Sequence, residues 1–329
     1  MTGIRPSRTD AARHRTWPVC RRCCGVALDM GSGRTRAWIA GKGVTVDVPT
    51  VTFPDSDGAP TLPLSGADGA PTLPLPGSDG APTPPLPGAG GGPALTHLDA
   101  GGIPSPPHPG TGAVYPVRRG VIVDTPGCAR MLNRLLGPRL PRITRPVVVV
   151  AVPVLGGAAY RTQARAAVEV LRPRSVLTVP GARCVALAAE ADLSGPLLVV
   201  DIGAQLTEVV LLCDGAVTDA RRAALGTGDL DESTPPERIA DVVVSMLTAM
   251  LRQDRTSLTS DALRRGALLA GGGALRPELT HRLVGRLHAP LYVVPRPHTA
   301  AVRGAATLLR AARAHPSLSG TLRPTACPH

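Results

Sequence analysis

Short apolar runs rich in valine and leucine recur along this sequence and are separated by turns or helical segments. "RPVVVVAVPV" (145–154) is an uninterrupted β-branched run, which is typical of a strand buried on both faces of a parallel sheet. "STPPERIADVVVSMLTAMLRQD" (233–254) instead has the 3.6-residue period of a helix, with Thr234 and Glu237 placed as a capping box. This alternation of strands and helices indicates an α/β fold.

A proline-rich repeat interrupts this pattern. "DGAPTLPLSGA", "DGAPTLPLPGS" and "DGAPTPPLPGA" begin at Asp57, Asp68 and Asp79, eleven residues apart. Proline fixes φ and lacks an N–H donor, so the repeat is suited neither to a helix nor to a β-ladder. The sequence therefore predicts an extended, polyproline-like linker over residues 54–113, which serves either as a spacer or as a binding segment.

The net charge of +12 raises the question of an anionic partner such as nucleic acid or a membrane surface. Lys42 is the only lysine, and the arginines are scattered rather than grouped into a stripe with aromatic residues. We therefore expect no specific nucleic-acid binding.

The first 24 residues, "MTGIRPSRTDAARHRTWPVCRRCC", are basic and lack an apolar core, so they do not resemble a signal peptide. No apolar run is long enough to span a bilayer, and we expect a cytoplasmic protein with disordered tails at 1–24 and 314–329. The seven cysteines argue against a disulfide framework. Cys20, Cys23 and Cys24 leave two alternatives open, a zinc site that lacks its second ligand pair and a redox-sensitive tail.

Three glycine turns follow apolar strands and share one physical character. They begin after Asp29, after Asp201 and at Gly271. Glycine lets backbone N–H groups converge on an anion, and aspartates at such turns suit a hydrated Mg²⁺. The turns predict Mg²⁺ ligands at Asp29 and Asp201 and a nucleotide site at Gly31, Ser32, Gly33, Arg34, Thr35, Gly203, Ala204, Gln205, Thr207, Gly271, Gly272, Gly273, Ala274 and Leu275. The alternative for the glycines is simple turn geometry.

The order of these segments resembles the actin-like ATPases, and among them the bacterial rod-shape-determining MreB and Mbl family. "ALDMGSGRTRAWIAGKGVTVDVPTV" is similar to the first phosphate hairpin, "DIGAQLTEVVLLCDGAV" to the second and "RGALLAGGGALRPEL" to the adenosine-side turn. "YPVRRGVIVDTPGCARMLNRLL" and "HAPLYVVPRPHTAAVRGAATLL" also follow the family pattern. The resemblance covers most of the chain from Gly25 to Ala312, apart from the repeat.

The resemblance implies an actin-like, ribonuclease H-like fold of two domains. Domain I would be residues 25–193, interrupted by the linker, and domain II residues 194–295, with a helix at 296–313 that returns to domain I. It also implies ATP and Mg²⁺ between the domains, ATP hydrolysis, and filaments beneath the membrane that organise wall synthesis. The implied partners are the chain itself, MreB-type filaments, wall-synthesis proteins and the inner face of the membrane.

Four departures from the family pattern affect this expectation. Tyr160 stands at the place of the water-positioning glutamate, a loss that typically costs about 10²–10⁴ in rate. Gln205 replaces a glycine, and its Cβ would cost about 1–2 kcal/mol of conformational energy if the position needs a positive φ. Leu206 replaces a threonine that would donate to phosphate, and the loss of that hydrogen bond would cost about 1.5–3 kcal/mol of binding free energy. Both peripheral subdomains are lost or reduced, because "GTGDLDE" runs directly into "STPPERIADVV" and the repeat replaces the other subdomain.

Three functions follow from these observations. The first is a non-hydrolysing MreB/Mbl-like protein of cell-shape or wall morphogenesis that binds ATP weakly or not at all. The second is an active, Mg-ATP-dependent, filament-forming ATPase. The third is a small-molecule phosphotransferase of the same superfamily, for which Asp124 is the one candidate base, although a strand-end aspartate is better explained as a helix cap.

Overall fold

A computed structural model describes residues 24–43, 45–53, 113–142 and 145–314 of the 329-residue chain. The predicted linker, both predicted tails, Cys20 and Cys23 lie almost entirely outside these ranges. The chain divides into two units, residues 1–52 with 114–329 and residues 53–113. All helices and strands of the described residues belong to the first unit.

Strands and helices alternate along the described residues. The strands are β1 (Gly25–Met30), β2 (Arg34–Ile39), β3 (Thr45–Pro49), β4 (Val117–Arg118), β5 (Val121–Ile122), β6 (Val147–Val152), β7 (Ser175–Pro180), β8 (Leu197–Ile202), β9 (Thr207–Cys213), β10 (Ala216–Ala223), β11 (Ala267–Ala270) and β12 (Leu291–Val293). The α-helices are α1 (Thr125–Leu136), α2 (Gly157–Val168), α3 (Gly181–Ala188), α4 (Pro236–Gln253), α5 (Leu258–Arg265), α6 (Pro277–Leu287) and α7 (Ala300–Ala314).

Two five-stranded sheets share one topology. The strand order is β3-β2-β1-β6-β7 in the first sheet and β10-β9-β8-β11-β12 in the second. In each sheet, three sequential strands pair antiparallel and two further strands add in parallel beside the first of them. The turns that follow β1 and β8 therefore occupy equivalent positions in the two sheets.

Helices cover both faces of each sheet. In the first sheet, Val26, Leu28 and Met30 of β1 pack with α1 and α2, while Ala27 faces α7. We call this sheet with α1, α2 and the β4–β5 hairpin the first lobe. In the second sheet, one face packs against α4, α5 and α6. We call the second sheet with α4, α5 and α6 the second lobe.

Helix α3 lies between the two lobes. Ala182, Val185 and Ala186 pack with β8 and β9 of the second sheet, while Cys184 on the opposite side packs with α7 and the first sheet. All four side chains are buried. Small residues on both sides of one helix therefore allow the two sheets to share it.

One strand, one helix and one helix cap differ from the sequence-based expectation. Strand β10 and helix α5 were not predicted, because their charged residues hide the apolar period. The capping box at the start of α4 is wrong, since no side chain caps this helix, which begins after Pro235. Glu237 forms an ion pair with Arg282 of α6 instead.

Gly304 of α7 sets the distance between α7 and α3. A Cβ built on Gly304 would lie 1.8 Å from the carbonyl oxygen and 2.4 Å from the carbonyl carbon of Cys184. Backbone atoms cannot rotate away as a side chain can, so this helix contact requires glycine.

We therefore expect Gly304→Ala to destabilise the protein by about 2–3 kcal/mol, the usual cost of overpacking, despite alanine's higher helix propensity. Chemical denaturation measures the change. Gly285→Ala in α6 is the matched control, because Gly285 is exposed and nothing lies within 4 Å of its added Cβ. This variant should gain about 0.5–1 kcal/mol. Equal stabilisation by both substitutions would contradict the packing described here.

Candidate functional site

The three predicted turns meet at one place. A Cβ built on Gly33 would lie 2.7 Å from the Cβ of Ala204, so the turns after β1 and β8 are in direct contact. A Cβ built on Gly271 would lie 2.4 Å from Oδ1 of Asp201 and 2.3 Å from the carbonyl oxygen of Ile202, so the turn after β11 joins them. The structure thus brings the candidate residues of all three turns together.

The first turn is closed by its own hydrogen bonds. The Gly31 N–H donates to the Arg34 carbonyl at 3.0 Å, and the Thr50 hydroxyl donates to the Gly31 carbonyl at 2.6 Å. The hydroxyl of Thr35 is buried and pairs with that of Thr50 at 2.8 Å. Ser32 is partly exposed at the bend. Of the two hydroxyl-bearing candidates here, Thr35 is therefore already engaged.

Arg34 is also engaged. Its guanidinium donates to Oδ1 of Asp47 at 2.5 Å and to the Asp47 carbonyl at 3.0 Å. Arg36, which the sequence analysis did not single out, donates to the other oxygen of Asp47 at 3.2 Å and lies 4.0 Å from Oδ2 of Asp29. A basic residue two positions after Arg34 shares its face of β2, and that spacing is the signal that was missed.

Asp29 lies close enough to Asp201 for its charge to raise the pKa of Asp201. Burial raises the pKa of Asp29, while Arg36 opposes this rise. Burial and then the charge of Asp29 raise the pKa of Asp201 to about 6, again opposed by Arg36. Arg36 is therefore a common counter-charge for both carboxylates.

A third carboxylate, Glu208 on β9, was also missed by the sequence analysis. Its side chain is buried, and Oε1 accepts the N–H groups of Val154 at 3.0 Å and Leu155 at 3.4 Å. Because these two residues follow β6 of the first sheet, Glu208 links the second lobe to the first. The signal was an acidic residue at the start of a strand that otherwise reads as buried, "TEVVLLC".

The second turn is covered by the loop that follows β10. The N–H groups of Thr227 and Gly228 donate to the carbonyls of Gly203 at 2.9 Å and Ala204 at 2.7 Å. Within the turn, the Gly203 N–H donates to the Leu206 carbonyl at 2.8 Å. These backbone groups are therefore satisfied by the protein itself.

The departures at and around Gln205 have different consequences. Gln205 has no positive φ, so the conditional backbone cost of its Cβ does not apply. The hydroxyl of Thr207, which could have replaced that of the missing threonine, is buried and donates to the Leu225 carbonyl at 2.8 Å. The Thr207 hydroxyl is thus engaged and does not stand in for the hydroxyl that the resemblance leads one to expect at position 206.

The resemblance implies that Tyr160 takes the position of a water-positioning glutamate. The side chain is buried in α2, and its hydroxyl donates to the Met30 carbonyl at 3.0 Å. Burial, reinforced by the neighbouring charge of Asp29, raises the pKa of Tyr160 far above its usual range. A neutral phenol whose hydroxyl donates to a backbone carbonyl ties α2 to the end of β1.

The third turn is the most open of the three. The Gly271 N–H donates to the Pro297 carbonyl at 3.1 Å, and a Cβ on Gly273 would lie 2.3 Å from Cγ2 of Ile202. Nothing lies within 4 Å of a Cβ built on Gly272. Ala274 is buried and Leu275 is exposed. This turn could accept an apolar or planar group beside Gly272.

The residues present fit Mg-ATP only in part. The turn at Gly271–Leu275 leaves open space beside Gly272. At the two turns that were predicted to hold phosphate, the hydroxyls of Thr35 and Thr207 and the guanidinium of Arg34 are held by protein groups. Among the residues that the structure describes, no group of three or more histidine, cysteine, aspartate or glutamate side chains could hold a metal ion. We therefore derive no hydrolytic step through Mg-ATP.

Asp124 acts as a helix cap. Its Oδ1 accepts the N–H of Gly127 at 2.8 Å at the start of α1, and Oδ2 lies 3.8 Å from Arg130. The predicted capping role is confirmed, and both carboxylate oxygens have partners, which counts against Asp124 as a phosphotransferase base.

Glu208 makes the stability of the protein depend on pH. Burial and the charge of Asp201 raise its pKa to about 7, so the folded protein binds a proton there at pH values where the unfolded chain does not. A raised carboxyl pKa destabilises the fold above about pH 7, and this cost disappears as the pH falls toward the unfolded value near 4.5.

We therefore expect Glu208→Gln, which keeps an acceptor oxygen and removes the charge, to stabilise the protein by about 1–3 kcal/mol at pH 8 and by almost nothing at pH 4.5. Denaturation at several pH values measures this difference. Glu232→Gln on the exposed loop before α4 is the control and should show no such trend. A lower stability of Glu208→Gln at pH 8 would show that the ionised form is preferred.

Comparison with solved structures gives the fold. The chain is similar to MreB5 of Spiroplasma citri bound to ADP, with a TM-score of 0.63 and 13% identity over 90% of this chain and 100% of that one. The AMPPNP-bound form of MreB5 has a TM-score of 0.65 and 14% identity over 91% of this chain and 99% of that one. A MamK double helical filament has a TM-score of 0.60 and 14% identity over 89% of this chain and 99% of that one. The predicted actin-like α/β fold is confirmed, in a reduced form.

Within the described residues, no helix has the length and apolar character needed to cross a membrane.

The sequence comparisons are consistent with this fold. A search of curated proteins finds no match to the sequence. The family model described as MreB/Mbl protein matches residues 108–235 and 236–316, well over half of the chain. The chain belongs to the MreB/Mbl family of actin-like proteins.

Proposed function

We propose that this chain is a non-hydrolysing member of its family, which binds ATP weakly or not at all and acts in bacterial cell-shape or wall morphogenesis through protein contacts. The observation that carries the proposal is the hydrogen bond from the buried Tyr160 hydroxyl to the Met30 carbonyl. The resemblance implies that Tyr160 takes the place of the group that orients water, and an engaged, neutral donor would not serve that purpose.

The arrangement around the phosphate side supports the same proposal. Thr35, Thr207 and Arg34, three of the predicted nucleotide ligands, have protein partners. Asp29 and Asp201 have Arg36 as a counter-charge, so the carboxylate pair does not depend on Mg²⁺ alone for compensation. Any nucleotide would be held mainly through the turn at Gly271–Leu275 and by residual contacts of the other two turns.

The first partner that we propose is a second copy of the chain. MamK, a structural relative, forms a double helical filament. MreB-type filaments and wall-synthesis proteins are further proposed partners, with the chain in the cytoplasm and at the inner face of the membrane. We also keep the predicted division into domain I (25–193), domain II (194–295) and a returning helix (296–313) as a proposal. Helix α7 packs on β1, β6 and α3, which supports its placement with domain I.

An active ATPase is the second candidate. The retained Asp29, Asp201 and glycine triplet at 271–273 favour it, because they supply two carboxylates and a backbone turn at the meeting point of the lobes. Structures of MreB5 with ADP and AMPPNP show that this relative binds nucleotides.

The two candidates differ in phosphate release. We expect the purified protein with Mg-ATP to release phosphate at the background rate, and Asp201→Ala to release it at the same rate, because Tyr160, which the resemblance places at the water-positioning site, donates its hydroxyl proton to the Met30 carbonyl. A colorimetric phosphate assay measures both. A rate in the unaltered protein about tenfold above that of Asp201→Ala would contradict the proposal and support the ATPase.

Nucleotide affinity should respond to the missing hydroxyl. We expect Leu206→Thr to bind Mg-ATP about 10- to 100-fold more tightly than the unaltered protein, since a hydrogen bond to a charged phosphate is worth about 1.5–3 kcal/mol. Calorimetric titration measures the affinity. Leu251→Thr is the control, because Leu251 is an exposed leucine on α4. Equal affinities for the two variants would mean that phosphate does not approach this turn.

A further inference from the structure

The turn between β4 and β5 reaches from the first lobe to the second. It consists of Arg119 and Gly120, with φ values of 49° and 73°. Such a two-residue turn with both φ values positive is a tight hairpin connection that favours glycine or asparagine. Val117 and Ile122 on either side of it are buried in the core of the first lobe, so the turn is firmly anchored there.

Arg119 makes three contacts with the second lobe. Its backbone N–H donates to Oε1 of Gln205 at 3.3 Å. Its guanidinium donates to the Ala224 carbonyl and, at 3.2 Å, to Oδ1 of Asp229. The side chain is 56% exposed, so each contact alone is weak. Together they attach one residue of the first lobe to three separate points of the second.

Gly120 adds an apolar contact to this set. A Cβ built on Gly120 would lie 2.7 Å from Cδ2 and 3.3 Å from Cδ1 of Leu206. The leucine side chain therefore lies directly against the turn. A threonine at position 206 would lack the branched end that makes this contact, and a glycine at 205 would lack the acceptor for the Arg119 N–H.

Gln205 and Leu206, the two departures from the phosphate-loop pattern, thus share a structural role with their neighbours Ala204 and Glu208. Gln205 and Leu206 contact the Arg119–Gly120 turn, and Ala204 contacts Gly33 of the first lobe. Close by, at the start of β9, the Glu208 side chain accepts hydrogen bonds from the N–H groups of Val154 and Leu155. All four residues use positions near the predicted phosphate site to join the two lobes.

We propose that Arg119, Gly120, Gln205 and Leu206 form a latch that holds the two lobes together without nucleotide. In this protein, contacts between side chains and backbone take the place of a phosphate bridging the two turns. The inference rests on the proposed function in one respect, that nucleotide is not required to hold the lobes. It adds that the closed arrangement is the permanent state in which the protein meets its partners.

Two amides report on the latch without belonging to it. The N–H groups of Val154 and Leu155 cross between the lobes to Glu208, and neither residue is part of the Arg119–Gly120 contact. If the latch holds the lobes together, its loss should expose these amides to solvent as the lobes separate. If the contact only orders the β4–β5 turn, their exchange should not change.

The experiment is amide hydrogen exchange of the full chain without nucleotide. We expect Arg119→Ala/Leu206→Ala to accelerate exchange at Val154 and Leu155 about tenfold, with core amides of α4 unchanged. Arg264→Ala/Leu251→Ala is the matched control, because Arg264 pairs only with Asp261 on the surface of α5 and Leu251 is exposed on α4. The control should leave both amides unchanged.

Gln205→Ala provides a milder test if the double variant does not fold. It removes only the acceptor of the Arg119 N–H and should accelerate the two amides about two- to threefold. Unchanged exchange at Val154 and Leu155 in the latch variants would overturn the proposal. Equal acceleration at the core amides of α4 would also overturn it, because that would indicate global destabilisation.

A second arm separates this inference from the proposed function. Adding Mg-ATP to the unaltered protein should leave exchange at Val154 and Leu155 unchanged, because the lobes are already joined. Slowing of about tenfold would overturn the latch, since nucleotide would then be what joins the lobes. Phosphate release above background with unchanged exchange would instead contradict the proposed function and leave the latch intact.

Discussion

The packing of α3 against both sheets is the contact on which the rest of the structure depends. The helix presents alanine and valine to the second sheet and Cys184 to α7 and the first sheet. Because the helix is short and its buried residues are small, the two sheets approach closely, and the turns at their strand ends meet. The contact of Gly33 with Ala204 lies at this meeting point.

Charge at this meeting point is only partly compensated from within the chain. Three carboxylates, Asp29, Asp201 and Glu208, are gathered in a region of low solvent access, and burial raises the pKa of each. Arg36 faces the first two, while Glu208 accepts two backbone N–H groups. Because the pKa of each carboxyl stays raised, burial outweighs these partners, and the ionised cluster costs stability that is recovered when the carboxyls are protonated.

Much of the fold could be predicted from the sequence because its signals are local. The β-branched run at 147–152, the period of α4 and the cap at Asp124 each depend on residues within one element. The meeting of the three turns followed from the family resemblance. The roles of Arg36, Glu208 and Arg119 could not be predicted, because each depends on a partner from a distant part of the chain. Gln205 was judged by the glycine that it replaces, whereas its side chain contacts a turn 86 residues away.

The contact between Ala204 and Gly33 and the hydrogen bond from Tyr160 to Met30 make the candidate site part of the packing between elements. A substitution at either place therefore changes a structural contact as well as the chemistry of the site. A change of activity in such a variant would report on folding as much as on chemistry unless the stability of the same variant is measured beside it.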